Sequence, residues 1–166
     1  MRVVALILLI ACARPYALPV VVHDPAVKES LQMQPHSVAS DSGALTSWDV
    51  KYDFSLVEER GACRLRDPHV ELSIQQGYPV AATADPATAV ALLSSLDELK
   101  KHEEGHLRID RAAAHALADA LRAIAPESTC EAVREKARRA ASKAIEECRA
   151  SNDAYDSATR HGLSGR

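Results

Sequence analysis

The chain has 166 residues, 47% of them hydrophobic and 26% charged, with a formal net charge of -3. That is enough for one domain with its own core, and it excludes a disordered chain. The charges are scattered with no basic stripe that could neutralise phosphates, so nucleic acid is not an expected partner; the most basic run, Arg134 to Arg139, lies in an Ala-rich helical pattern and reads as a solvated helix face.

Residues 1–17 stand apart. Met1 to Ala13 combine one positive charge, an apolar run of about nine residues and then small residues, the layout of a secretory signal and too short to span a bilayer. Export to the periplasm or cell envelope is expected, with a mature domain over 19–166. Leu9-Ile10-Ala11-Cys12 resembles the lipobox of bacterial lipoproteins, which would make Cys12 a lipid anchor and the membrane a partner through it; Ala11-Cys12-Ala13 equally suits plain cleavage.

Leu18 to His23 suggests a short strand, and Asp24-Pro25 suggests the start of a helix to about Met33. Gln34 to Gly43 is polar and reads as a loop. From Thr46, alternate positions carry Trp48, Val50, Tyr52, Phe54 and Leu56, which predicts a half-buried strand. After a turn at 58–61, Cys63 and Leu65 resume a strand, Asp67-Pro68 interrupts it, and Val70, Leu72 and Ile74 alternate again. The expected result is a small antiparallel sheet. A helix begins after Asp85-Pro86 and keeps its apolar period to Ile124, long enough for one bent helix or two abutting ones, and Pro126 ends it. Ser128-Thr129-Cys130-Glu131 is a capping box for a last helix over about 129–151, after which the tail looks polar and irregular. The fold class is α+β, a small antiparallel sheet packed on two long antiparallel helices. On the last helix Cys130 and Cys148 would stand about 27 Å apart and could not bond, so an intramolecular bridge must use Cys63.

The chemistry concentrates at Lys101-His102-Glu103-Glu104-Gly105-His106-Leu107. Residues four apart on a helix share a face, so His102 and His106 can hold one Zn2+, while Glu103, about 100° round, leans beside the metal without ligating it. A general base belongs there. Gly105 inside the helix costs about 1 kcal/mol relative to Ala and suggests close approach of another backbone. A catalytic zinc takes a third protein ligand. His115 faces the wrong way. The last helix brings the chain back to the level of the two histidines just after Ser151, which leaves His161, Glu146 or Glu147 as the third ligand.

His102-Glu103-Glu104-Gly105-His106, together with the terminal Tyr155-Asp156-Ser157-Ala158-Thr159-Arg160-His161-Gly162, resembles a bacterial family catalogued as a domain of unknown function and predicted to be secreted zinc-dependent proteases. Thr46-Ser47-Trp48, Cys63 and Cys130 add weaker matches. The resemblance covers about 19–166 and implies a zincin-like fold, His161 as third ligand and a Cys63–Cys130 bridge; it leaves Cys148 unassigned. Tyr155 then suits donation to a developing oxyanion or packing at the helix end, and Asp156 suits orienting a ligand histidine. The expected function is a zinc metallopeptidase in which metal-bound water gives its proton to Glu103 and attacks a peptide carbonyl, the substrate pairing with the strand from His69 to Ile74. The alternative is a zinc-stabilised envelope binding or scaffold protein without catalysis.

Overall fold

The computed structural model describes residues 24–37, 45–80 and 86–160, together with Pro19. The leader, Cys12, most of the strand expected at 18–23, and His161-Gly162 lie outside them. Three strands, β1 (Val27–Ser37), β2 (Leu45–Glu59) and β3 (Ala62–Val80), precede two helices, α1 (Pro86–Arg122) and α2 (Cys130–Thr159). No described helix is long and apolar enough to cross a membrane.

The sheet order is β1-β3-β2, with β1 parallel to β3 and β2 antiparallel to it. The sheet is therefore mixed, not antiparallel. Two expectations fail for one reason. Asp24-Pro25 opens a turn, closed by Ala26 N–H to Asp24 Oδ1 at 2.9 Å and Val27 N–H to the Asp24 carbonyl at 3.0 Å. An Asx turn uses the same residues as a helix cap, and the apolar positions behind it, Val27, Leu31 and Met33, fit a strand as well as a helix, so pairing with β3 decides the conformation. The strand runs on to Ser37, into the segment that reads as loop.

The β2–β3 hairpin turns at Arg60 (φ 53°) and Gly61 (φ 78°), a two-residue turn with both central residues left-handed, the form whose twist suits a hairpin. Asp67-Pro68 does not end β3. Asp67 takes φ 54° at a register shift opposite Asp53 and Ser55, so a bulge absorbs both residues where proline's missing N–H does no harm. β3 lies between β1 and β2, so of the stretch from His69 to Ile74 the residues from Val70 on are paired on both sides and cannot take a substrate strand.

One face of β3 (Val70, Leu72, Ile74) is buried against Leu107, Ala114, Leu117, Ala118 and Leu121 of α1 and Ala137 and Ala141 of α2. The small residues of α2 bring its axis close to α1. α1 is one continuous helix of 37 residues. α2 continues eight residues beyond Ser151, to Thr159, ending at a left-handed Arg160. Cys63 and Cys130 are disulfide-bonded, and Cys63 also exchanges backbone hydrogen bonds of 2.7 and 2.8 Å with Glu127. The bond closes a separation of 67 residues, so a Cys63→Ser/Cys130→Ser protein is expected to lose about 4 kcal/mol of stability in urea denaturation.

Candidate metal centre

α1 and α2 run antiparallel, and their facing rows change from apolar to polar towards one end. On α1 the row is His102, His106, Asp110; on α2 it is Cys148, Asn152, Asp156. Each steps by four residues, the spacing that keeps side chains on one face.

Where the rows meet, His102 Nε2 and His106 Nε2 lie 3.1 Å apart, and Asp156 Oδ1 lies 3.1 Å from the first and 3.0 Å from the second. The other ring nitrogens are taken. Asn152 gives its two N–H groups to Asp110 Oδ1 (2.9 Å) and the Cys148 carbonyl (3.1 Å), so the oxygen 2.6 Å from His106 Nδ1 is an acceptor and that nitrogen carries a proton. The Thr159 hydroxyl gives its hydrogen to the Tyr155 carbonyl at 2.8 Å, so it accepts from His102 Nδ1 at 3.1 Å. Both histidines thus turn an Nε2 lone pair towards a carboxylate oxygen. Burial, and then the neighbouring His106, push the His102 pKa down, against the opposing pull of Glu103 and Asp156, which favours the neutral ring.

Three lone pairs facing one another need positive charge among them. One proton lies along one edge of such a triangle, whereas a cation at its centre meets all three. The edges approach the roughly 3.3 Å expected for tetrahedral ligands about 2.0–2.1 Å from an ion. His102, His106 and Asp156 are also a group within the described residues whose ligand atoms converge closely enough to hold a metal. Two imidazoles and one carboxylate suit Zn2+.

Glu103 is 3% exposed, its Oε2 accepting a hydrogen bond from the Thr46 hydroxyl of β2. Gln76 of β3 braces the pair, donating to Thr46 Oγ1 at 3.2 Å and to the Glu103 carbonyl at 3.4 Å. The sheet thus aims the carboxylate that the helix carries.

A family model described as a bacterial protein of unknown function (DUF922) matches residues 24–162. The chain belongs to this family. No curated protein and no solved structure matches it. In this family member His102 and Glu103 are buried on α1, and His106 is partly buried one turn further on. Glu146 and Glu147 are exposed and are not in the cluster, and His115 is set apart beside Asp24. His161 lies outside the described residues.

Asp156 faces the Nε2 atoms, whereas the orienting contacts at Nδ1 come from Asn152 and Thr159, which the sequence reading did not select. A signal was present for both, because Asn152 and Asp156 follow Cys148 at four-residue steps and Thr159 lies seven residues after Asn152, so the helical period continues into the tail. Tyr155 is buried, stacked on His102 at 5.0 Å and edge-on to His106 at 5.1 Å. A Cβ on Gly105 would lie 2.2 Å from its Cζ and hydroxyl oxygen. The glycine therefore admits an aromatic side chain, where a backbone was expected. Gly105→Ala gains about 1 kcal/mol of helix propensity but must displace the ring. A net loss of about 1–3 kcal/mol is expected in urea denaturation under chelator.

Proposed function

We propose that this protein is an exported zinc-dependent peptidase with His102, His106 and Asp156 as ligands and Glu103 as general base. The observation that carries the reading is the triangle of converging lone pairs on two tautomer-fixed histidines, His102 buried and His106 partly buried, beside a buried glutamate. A bound Zn2+ would supply Lewis acidity, polarising a carbonyl and lowering the pKa of water to about 7. The chain's own residues do the rest. Glu103, held by Thr46, takes the proton from the attacking water and returns it to the leaving amine. Tyr155 keeps the His102 ring in place. A signal in 1–17, ending either in lipid attachment at Cys12 or in plain cleavage at Ala11-Cys12-Ala13, delivers the domain to the periplasm or envelope.

A second reading, a zinc-stabilised scaffold, is favoured by one circumstance: Asp156 stands in the cluster, while the family resemblance implies His161 as a ligand. Four protein ligands would close the centre, and a closed centre has no place for water. The test is to purify the protein from the envelope fraction, verify by mass that the leader is gone, and measure zinc per chain and chelator-sensitive cleavage of a mixed peptide library. One zinc with cleavage supports the peptidase; zinc without cleavage supports the scaffold; no zinc overturns both.

A further inference from the structure

Below the metal centre, one step along the polar rows, lies a buried carboxyl that the proposed chemistry does not use. Asp110 is 1% exposed, lying among Ala113, Ala114 and Leu117 of α1 and Ala144 and Cys148 of α2. Its Oδ1 accepts from the Cys148 thiol at 3.4 Å and from Asn152 Nδ2 at 2.9 Å, and its Oδ2 is buried without a hydrogen-bond partner among the described residues. Burial raises the Asp110 pKa, against the two hydrogen bonds. Burial, and then Asp110, push the Cys148 thiol up to about 12, so it remains an S–H donor.

A carboxyl buried with one oxygen unsatisfied disfavours folding relative to an apolar residue of similar size. Its position suggests a purpose. An asparagine amide can be placed either way round, and only acceptors at its nitrogen end force its oxygen towards His106. Asp110 Oδ1 is one of those two acceptors, and the Cys148 carbonyl is the other.

We propose that Asp110 is a positioning residue, which, held by the Cys148 thiol, orients the Asn152 amide and thereby fixes His106 as the Nδ1–H tautomer with Nε2 presented to the metal. This rests on the metal reading for its purpose, but the tautomer can be read without any metal. It also gives Cys148 a part as hydrogen-bond donor.

The experiment uses 15N-labelled, chelator-treated protein and two-bond proton–nitrogen correlations of the imidazoles, with zinc affinity measured separately by competition against a chromogenic chelator. Wild type is expected to show His106 as a single Nδ1–H tautomer. In Asp110→Leu a mixture is expected, with zinc affinity down about 10–100-fold and an unfolding temperature equal to or above wild type. Asp110→Asn, whose amide oxygen can still accept from Asn152, is expected to recover the single tautomer and most of the affinity. If Asp110→Leu does not fold, Asp110→Ser, too short to reach Asn152, takes its place with the same expectation. A wild-type tautomer in the Leu or Ser protein overturns the proposal, and so does failure of Asp110→Asn to restore it. If wild type binds no zinc, the metal reading falls, while the tautomer spectra still decide the role of Asp110.

Discussion

Glu103→Gln is expected to lower peptide cleavage by about 10²–10⁴-fold with zinc content and unfolding temperature close to wild type. The substitution changes almost no volume. A glutamine oxygen can still accept from the Thr46 hydroxyl, so the link between β2 and α1 survives. What disappears is the carboxylate's capacity to take a proton. The measurement pairs zinc by mass spectrometry with cleavage of a peptide library, on both proteins at several pH values. A variant that cleaves as fast as wild type would remove Glu103 from the mechanism, and a variant that loses its zinc would make Glu103 part of the binding site.

Asp156→Ala is expected to weaken zinc by more than about 100-fold, beyond the 10–100-fold typical when only a partner of a ligand is lost. Its Oδ1 faces both Nε2 atoms at 3.0–3.1 Å, so its removal leaves two donors of the three. Under chelator the variant should be no less stable than wild type, because a carboxylate that crowded two lone pairs is gone. That second readout separates a ligand from a structural residue. His161→Ala is the companion experiment. If that protein alone loses zinc, the third ligand is the one the family resemblance implies; if both lose it, the centre has four protein donors and the scaffold reading gains.

The helices and the face that carries His102 and His106 were legible because they depend on local period: the two histidines need only a turn of helix to meet. The sheet was less so. Asp24-Pro25 carries the same chemistry in a helix cap and an Asx turn, and nothing within Val27 to Met33 announces that β3 will accept a parallel partner. The Cys63–Cys130 bond followed from the family resemblance, since sequence arithmetic required only that Cys63 take part. At the other end, Asn152 to Thr159 looked irregular because it is polar, yet it is helical for the same reason that it is polar: its inward residues meet the histidines, and the group they converge upon is hydrophilic.

The disulfide holds α2 to the sheet at Cys130, while Asp156 stands 26 residues further on, about 39 Å along the helix. Over that lever a tilt of only about 1.5° displaces the far end by about 1 Å, as much as separates a bound ligand from a missed one. A cross-link so distant sets which residues face each other but not how closely. Closeness has to be imposed beside the histidines themselves, by Asn152 reaching across to Asp110 and by Thr159 reaching across to His102. The core therefore governs register, and a few short polar contacts govern aperture.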